Sequence, residues 1–540
     1  MDAVQPQKDN EYTFVLELAE TDPFYEKKKK LLEHMDFGSK ISMSLKRSST
    51  PDQQKDFLNA FLQCARIIKL NEVELYFASD ASNTMESCSP GNELEALNSI
   101  LEAIDKSTSG ETMKDTQQNL RDAIINRIHE VGSTFGEEKK ILEDPNSDKE
   151  KCLLDWGIHN GVKTKLDIAH VEGAGRGAIA KEDMKIGDIA LEIPISVIIS
   201  GDLLYKSDMF PILEKIDGIS EETMLLLWSM KEKYNSNSDF KLYFDTLPEK
   251  FNTGLSFGID AVMALDGTLL LDEIVQAKEH LRSQYDELFP ALSKHYPDVF
   301  PPHLYTWEQF LWACELWYSN SMKLIFDDGK IKTCLVPIAG FLNHSICPHI
   351  TQYGKIDTST NSLKFIVSRP CRTGEQCFLG YGKFSSSHLL TFYGFLPKRE
   401  NPYDVISLDI DEDAEDGAPA PEWSSHMVRG TWLSRNHGIF HYGLPAPLLD
   451  HLRRARNPTW QSNNPTREML ETDLDLLRDL SSTFEAMIEA FGEENPENSE
   501  GAAGWDVKLA MEFKILQRRI VSSILASCES GCKLLDSALN

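Results

Sequence analysis

The chain has 540 residues, of which 41% are hydrophobic, so it is too long for one ordinary core and two or three domains are expected. Its formal net charge of −30 argues against binding to nucleic acid, because affinity for the phosphate backbone comes from Lys and Arg side chains, and it suits basic protein partners better. The 10 cysteines show no CxxC and no zinc-type Cys/His spacing, which argues against a metal site and against a secreted disulfide framework.

Targeting and membrane signals are not evident in the sequence. The amino terminus has neither a basic region before an apolar run nor the Arg/Ser-rich character of a transit peptide. No stretch approaches the roughly 20 apolar residues that span a bilayer. We therefore expect a cytoplasmic or nuclear protein with no membrane partner.

The first third of the chain changes character near residue 160. Residues 1–150 alternate charged linkers with helical patterns at 57–70 and 94–128, and predict a mainly helical amino-terminal extension of unknown role. Gly, Ser and charged residues gather at 132–151, which indicates either a linker or a solvated helix extension. From 161 to 199, short apolar runs alternate with glycine turns, a pattern typical of small twisted β units.

Helical and strand patterns then alternate to the end of the chain. Helices are predicted, in order, at 223–233, 271–288, 307–324, 448–456, 467–491 and 507–527. Strands are predicted at 334–338, 363–368, 376–381 and 405–410, with a tight turn at 372–375. The acidic segment 409–422 is predicted to be an exposed boundary. The basic cluster at 453–456 is interpreted as a solvated helix face or as a surface that steers an acidic partner.

Three short motifs could carry chemistry. The sequence EGAGRG at 172–177 is a turn that lets backbone approach a ligand closely, but it lacks the spacing of a dinucleotide-binding loop. At 337–345 an apolar run ends in Asn343 and His344, and at 374–382 Tyr381 lies between two glycines after a β pattern. Taken singly, each motif is more typical of a structural turn or a capped strand end.

The order and spacing of these motifs, together with Tyr-Gly-Phe at 393–395, resemble the SET domain family. The most similar branch contains the Rubisco large-subunit lysine methyltransferase and the actin-histidine methyltransferases. The resemblance covers roughly residues 160–540 and implies an α+β fold. In that fold a SET-type β core of small twisted sheets at 160–400, with a helical insertion at about 211–325, is followed by an all-α substrate-binding domain at 425–540.

The same resemblance implies that the cofactor is S-adenosylmethionine and that no metal is used. Tyr381 matches the catalytic tyrosine of the family. The implied cofactor contacts are Glu172, Gly173, Ala174, Asn343, His344, Tyr381, Tyr393, Gly394 and Phe395. Of these, the first three would contact the adenosine and methionine parts, and the last three would pack near the adenine.

Two positions depart from the family pattern. Asn320 stands where the family usually has an arginine near the active site, and Gly340 stands where it usually has an acidic residue. Because both partners of a charge pair are replaced, no single buried charge is left behind, which is consistent with a stable fold. The change leaves both the substrate and the catalytic activity open.

The predicted reaction is N-methylation of a protein. Methyl transfer from a sulfonium to an amine is an in-line displacement, so alignment and exclusion of water carry most of the catalysis. A lysine must first lose a proton, which costs about 4 to 5 kcal/mol at pH 7, and a dry aromatic channel reduces that cost. We predict lysine methylation of a non-histone protein, with Tyr381 orienting the amine. The alternatives are histidine, which is largely neutral at pH 7, and a non-catalytic SET scaffold that binds a partner protein. No feature of the sequence indicates an oligomeric state.

Overall fold

The structure is a computed structural model that describes residues 11–78, 88–107, 115–136, 140–142, 148–408, 423, 425–457, 466–492 and 504–540. The strands are β1 (Glu11–Glu17), β2 (Lys40–Lys46), β3 (Ile141–Leu142), β4 (Lys163–Thr164), β5 (Leu166–Val171), β6 (Gly175–Ala180), β7 (Ile189–Pro194), β8 (Ser321–Ile325), β9 (Ile331–Leu335), β10 (Ile356–Asp357), β11 (Ser362–Ile366), β12 (Val405–Leu408) and β13 (His426–Arg429).

The helices of the first half are α1 (Tyr25–Glu33), α2 (Pro51–Lys69), α3 (Glu72–Phe77), α4 (Pro90–Lys106), α5 (Asp115–Phe135), α6 (Asp148–His159), α7 (Phe210–Leu213), α8 (Glu221–Glu232) and α9 (Lys241–Thr246). Those that follow are α10 (Ile259–Ala264), α11 (Leu269–His295), α12 (Trp307–Asn320), α13 (Ser386–Tyr393), α14 (Ala446–Arg456), α15 (Arg467–Ala490) and α16 (Trp505–Leu539). Among the described helices, none combines the length and the apolar character needed to cross a bilayer.

The chain forms two compact units. The terminal unit comprises the described parts of 1–136, 402–488 and 519–540, and the central unit comprises those of 137–401 and 489–518. The predicted division at 1–150, 160–400 and 425–540 stays a prediction. In the structure, however, the described residues up to 136 pack with those of 402–488 and 519–540, so both ends of the chain contribute to one unit.

The terminal unit begins with a two-stranded antiparallel sheet, β1-β2, which the sequence pattern did not predict. Strand β1 pairs with β2, and its residues alternate between exposed and buried, with Phe14 fully inside. The Phe14 ring lies 5.4 Å from Phe57 of α2, which in turn stacks on Phe61. Helix α2 starts at a capping box formed by Thr50 and Gln53. The β1-β2 sheet and helix α2 therefore share one apolar layer.

Polar contacts join the two ends of the chain inside the terminal unit. The Tyr76 hydroxyl lies 3.0 Å from Nδ1 of His426, and the Ser89 hydroxyl lies 2.7 Å from that of Tyr403. The Arg429 guanidinium lies 4.1 Å from the centre of the Phe77 ring. Tyr76 and His426 are 350 positions apart in the chain, and Ser89 and Tyr403 are 314 positions apart, so these contacts join distant segments.

The interpretation of the basic cluster at 453–456 as a solvated or steering face is wrong for its first residue. Arg453 is buried, and its Nε donates to Asp473 at 2.7 Å while Nη2 donates to the other oxygen of that carboxylate at 2.7 Å. The Tyr442 hydroxyl donates to the same carboxylate at 2.7 Å. Arg453 therefore holds α14 against α15 and is not available to an external partner.

The central unit has the α+β character that the sequence predicts. Antiparallel pairs build a four-stranded sheet in the order β10-β11-β7-β4, a three-stranded sheet in the order β3-β5-β6, and the pair β8-β9. Helices α7 to α12 lie between β7 and β8 in the chain, at the position predicted for the helical insertion. The apolar core contains residues of both the sheets and this insertion, such as Leu191, Phe365, Leu227 and Phe310.

Two local predictions in this unit are corrected. The helix predicted at 307–324 ends at Asn320, and Ser321 starts strand β8, which pairs with β9. The segment 376–381 is not a continuous strand. Gln376 forms a single β-bridge with Ile179, and Leu379 forms single bridges with His344 and Ile350. The segment therefore pairs with more than one neighbour instead of running along one strand. The acidic segment 409–422 lies outside the described residues.

Candidate functional site

A cavity of about 510 Å³ opens in the central unit where the three motifs meet. Its wall includes Gly173, Ala174, Asn343, His344, Tyr381, Tyr393, Gly394 and Phe395. The structure thus brings together all of the predicted site residues except Glu172, which is exposed and not part of this wall. The backbone N–H of Glu172 donates to the carbonyl of Lys140 at 2.9 Å, so its backbone fixes the start of the glycine turn.

Glycines allow the first motif to approach the second. Gly173 and Gly175 have φ angles of +69° and +67°, which lie in the left-handed region that glycine adopts without strain. A Cβ atom at Gly177 would lie 2.5 Å from the Nε2 atom of Gln376 and 3.1 Å from Nδ2 of Asn343. In this close approach Asn343 Nδ2 donates to the carbonyl of Arg176 at 2.9 Å. The Asn343 amide is thereby fixed at the cavity wall.

The third motif is hydrogen-bonded to the second. The N–H of Leu379 donates to the Asn343 carbonyl at 2.8 Å, and the N–H of Ser345 donates to the Leu379 carbonyl at 3.2 Å. The N–H of Tyr381 donates to Nδ1 of His344 at 3.1 Å. Because Nδ1 accepts this bond, the proton of the neutral imidazole lies on Nε2. His344 therefore acts here as an acceptor that fixes the backbone of Tyr381.

Tyr381 lies at the centre of the site and is partly buried. Its hydroxyl donates to the carbonyl of Leu342 at 3.0 Å, and its ring lies 5.0 Å from that of Tyr393. Burial, with smaller contributions from Tyr393 and Tyr353, raises the pKa of the Tyr381 phenol well above its usual value. The phenol therefore stays protonated near neutral pH. It can orient a ligand through its oxygen, but it is a poor base.

Gly394 closes the cavity on the side of α13. It ends this helix in the left-handed conformation, with φ of +75°. A Cβ atom at this position would lie 1.7 Å from the carbonyl oxygen of Asn252, so only glycine fits between the helix end and that loop. Tyr393 and Phe395, on either side of Gly394, are thereby placed on the cavity wall beside Asn252.

A second, narrower cavity of about 40 Å³ adjoins the first. The two cavities share a wall formed by Ser319, Asn320, Gly340, Tyr381 and Tyr393. Other residues, among them Met322, Leu342 and Tyr353, complete the lining of the narrow cavity, which contains no charged residue. Its aromatic and amide lining can accept a neutral nitrogen and disfavours an ammonium ion, because burial penalises the charged form.

The two departures from the family pattern face each other at this shared wall. A Cβ atom at Gly340 would lie 3.2 Å from Oδ1 of Asn320, and Asn320 Nδ2 donates to the Ser319 hydroxyl at 2.7 Å. The preceding Ile338 has a φ of +72°, which is unusual for a β-branched residue and costs on the order of 1–3 kcal/mol. This strained residue leads into the short turn that presents Gly340 to both cavities.

Several wall residues were not identified from the sequence. Arg176 lines the larger cavity, where its Nη1 donates to Glu150 at 2.8 Å and its guanidinium lies 5.1 Å from the Phe341 ring centre. Lys398 and Arg399 also line this cavity, which therefore contains three cationic side chains and suits a ligand that carries a carboxylate. Arg176 lies inside the EGAGRG motif and could have been considered, whereas nothing marks Asn252 in the helical insertion.

One cluster in the central unit has metal-ligand residue types. His349, Cys371 and Cys377 are buried, with potential ligand atoms within 4.8 Å of one another. However, Nδ1 of His349 accepts from the N–H of Phe378 at 3.0 Å and faces Arg369 Nη2 at 3.4 Å. Burial and the Arg369 charge hold the pKa of His349 well below its usual value. A nearby guanidinium opposes a bound cation, so we assign no metal to this cluster.

The fold of the chain is similar to that of solved LSMT structures. The chain resembles the crystal structure of the SET domain of LSMT bound to lysine and AdoHcy, with a TM-score of 0.55 at 18% identity over 73% of this chain and 94% of that one. The structure of Rubisco LSMT bound to AdoMet gives a TM-score of 0.52 at 18% identity over 72% of this chain and 94% of that one. The predicted SET-type fold is thereby confirmed.

The sequence comparisons point to particular relatives. The chloroplastic [fructose-bisphosphate aldolase]-lysine N-methyltransferase of Arabidopsis thaliana is 25% identical over 54% of this chain and 63% of its own length. SET domain-containing protein 4 of Mus musculus is 23% identical (46% and 58%), and the actin-histidine N-methyltransferase of Homo sapiens is 22% identical (48% and 44%). The aligned parts thus span less than two thirds of these relatives. The chain is related to the branch predicted from its motifs.

A family model described as Rubisco LSMT substrate-binding matches residues 19–160. This segment includes most of the amino-terminal extension whose role the sequence left unknown, and it precedes the SET core in this chain. Its described residues up to 136 belong to the terminal unit. Most of the match, up to residue 136, therefore falls on the unit that also contains the described residues of 402–488 and 519–540.

Proposed function

We propose that the protein is an S-adenosylmethionine-dependent protein N-methyltransferase that modifies a lysine of a non-histone protein. The observation that carries this proposal is the meeting of two cavities at the Tyr381 phenol, one large enough for a nucleoside ligand and one narrow and uncharged. The solved structures with this fold, which are described as bound to AdoMet or AdoHcy, support it. Cytoplasmic or nuclear location, and the absence of nucleic-acid and membrane partners, are part of the proposal.

The residues of the larger cavity fit S-adenosylmethionine. Its methionine part carries a carboxylate, which Lys398 on the cavity wall can pair with, and its adenine needs an apolar aromatic surface, which Tyr393 and Phe395 provide. Backbone groups of the turn at Gly173 and the amide of Asn343 offer further hydrogen bonds. When bound, this group supplies a methyl on a sulfonium for transfer to nitrogen.

The chain's own residues prepare the nucleophile. The narrow cavity, lined by Tyr353, Met322 and Leu342, adjoins the larger one and offers the ammonium no counter-charge. Its low polarity favours loss of the proton before reaction. The protonated Tyr381 phenol, fixed by its bond to the Leu342 carbonyl, can accept a hydrogen bond from the amine and direct its lone pair towards the larger cavity.

A histidine substrate is the second candidate, and Asn320 favours it. Its carboxamide lies in the wall shared by both cavities and can pair with a nitrogen of an imidazole ring. The relatives include both a lysine and a histidine N-methyltransferase, which is consistent with either choice. A non-catalytic scaffold is the third candidate, since the charge pair usual at positions 320 and 340 is missing.

The terminal unit is proposed to bind the protein substrate. Support comes from the family match at 19–160 and from the buried contacts that join this segment to His426 and Arg429 of the predicted substrate-binding region at 425–540. In this proposal the substrate-binding module is built from both ends of the chain.

The experiment combines calorimetry with a transfer assay. The native protein should bind S-adenosylmethionine and transfer a labelled methyl group to a protein in an extract, and mass spectrometry of the product would identify lysine or histidine. Tyr381→Phe should reduce transfer by about 100-fold or more with the fold intact, because the orienting hydroxyl is lost. Combining it with His344→Ala should also remove cofactor binding. The exposed Tyr205→Phe is the matched control and should leave both unchanged.

Each outcome has a defined meaning. Binding without transfer to any protein would favour the scaffold. Absence of binding at millimolar S-adenosylmethionine would contradict the proposed function altogether. Unchanged turnover in Tyr381→Phe would remove Tyr381 from the mechanism while leaving the activity itself in place.

A further inference from the structure

A buried carboxylate lies directly behind the cavity wall. Glu315 is on α12 with only 3% of its surface exposed, and it does not line either cavity. Its Oε1 atom accepts hydrogen bonds from the Thr253 hydroxyl at 2.7 Å and from the Ser256 hydroxyl. Both hydroxyls belong to the short turn that follows Asn252. A single carboxylate therefore fixes both ends of this turn.

This short turn also supports the wall of the larger cavity. A Cβ atom at Gly254 would lie 2.9 Å from Cα of Thr391 on α13, so the turn packs directly on that helix. The Asn252 carbonyl fills the space where a side chain of Gly394 would be. Since both Asn252 and Gly394 line the cavity, any loosening of the turn would reach the ligand site through two backbone contacts.

The charged and titratable groups around Glu315 come from three elements. Lys278 of α11 donates to the Phe257 carbonyl at 2.6 Å and attracts the carboxylate, and Asp506 of α16, which accepts from the N–H of Gly258 at 3.0 Å, acts on Lys278. Burial keeps Cys314 of α12 protonated by raising its pKa. Burial also raises the pKa of Glu315 to about 7, against the opposing effect of the two hydroxyls and Lys278.

We propose that Glu315 is a positioning residue whose protonation state controls the affinity of the larger cavity for its cofactor. The proposal rests on the proposed function, since it concerns the same cavity. The ionised carboxylate holds the turn more firmly, because hydrogen bonds to a charged acceptor are about twice as strong as neutral ones. Protonation leaves a weaker acceptor and a looser wall. Cofactor affinity should therefore rise as the pH increases through neutrality.

The test is the dissociation constant of S-adenosylmethionine, measured by calorimetry from pH 6 to 8.5. The native protein should bind about fivefold more tightly at the upper end, as expected from losing about half the strength of one charged hydrogen bond. Glu315→Gln should bind with an affinity close to that of the native protein at pH 6 and show no such rise. Glu308→Gln, an exposed carboxylate on the same helix, is the matched control and should follow the native curve.

A native affinity that does not change over this range, or a Glu315→Gln curve parallel to the native one, would overturn the proposal. Titration of the ligand itself is common to all three proteins and cancels in the comparison. If no protein binds S-adenosylmethionine at any pH, the proposed function fails. Hydrogen exchange of the amides at 252–257, corrected for intrinsic rates, would then decide the positioning role alone. Protection that rises with pH only when Glu315 is present supports it, and equal protection in both proteins rejects it.

Discussion

Acidification from pH 7.5 to 5 should destabilise the terminal unit through one histidine. His426 is 6% exposed, its Nδ1 lies 3.0 Å from the Tyr76 hydroxyl, and its ring lies 4.6 Å from that of His451. Burial, with a smaller effect of His451, lowers the pKa of His426 to about 4. In the unfolded chain the pKa is about 6.5. The folded protein therefore resists protonation, and its stability falls as the pH drops below 6.5.

The magnitude follows from the two pKa values. At pH 5 the unfolded chain is almost fully protonated at this residue while the folded one is mostly neutral, which costs about 2 kcal/mol of stability. Below pH 4 the cost reaches its full value of about 3 kcal/mol. Such a loss is a large fraction of the stability of an ordinary domain. It acts at the contact that joins the amino-terminal segment to the β12–β13 hairpin.

The assay is hydrogen exchange of the amides at 426–429, combined with urea unfolding at both pH values. His426→Gln should remove about 2 kcal/mol of the pH dependence, because glutamine does not titrate but can still accept the hydrogen bond of Tyr76. His34→Gln, an exposed histidine in the same unit, should behave like the native protein. If His426→Gln loses as much stability on acidification as the native protein does, the reasoning is refuted.

Three further substitutions test the packing. Gly394→Ala should destabilise the central unit by at least about 2 kcal/mol in urea and abolish S-adenosylmethionine binding, because it combines left-handed strain with a backbone clash; native-like values would contradict this. Asp473→Ala should cost about 3–5 kcal/mol by leaving Arg453 buried without its carboxylate, as measured by thermal unfolding. Ser89→Ala should cost about 2 kcal/mol, because it removes both the cap of α4 and the bond to Tyr403, and a loss below about 0.5 kcal/mol would count against that double role.

The sequence predicted the parts of the site that local chemistry determines. A glycine turn, an Asn-His pair at the end of an apolar run and a tyrosine between glycines are local patterns, and the structure places all three on one cavity. The tight turn at 372–375 is also present, closed by the N–H of Glu375 and the Arg372 carbonyl at 3.0 Å. The roles assigned to individual residues stay predictions, including that of Glu172, which the structure places outside the cavity wall.

The features that were missed depend on tertiary packing. Asn252 reaches the cavity only because Gly394 has no side chain, and these two residues are far apart in the chain. The pattern at 307–324 continues with helical spacing across Asn320, but pairing with β9 turns the last residues into a strand. The apolar alternation in β1 is short and charged residues surround it, so it gives only a weak strand signal, although Phe14 is buried. Periodicity alone could not decide these cases.

The terminal unit, which both ends of the chain form, also depends on tertiary packing. Tyr76 and His426 are buried, as are Ser89 and Tyr403, and a buried polar group without a partner is costly. If the amino-terminal segment folded alone, Tyr76 and Ser89 would lose these partners, and His426 and Tyr403 would lose theirs. The amino-terminal segment that the substrate-binding family model matches and the carboxy-terminal helices of the same unit are therefore best treated as one cooperative module. Its position in the chain, before and after the SET core, matters less to its stability than the pairing of these buried groups.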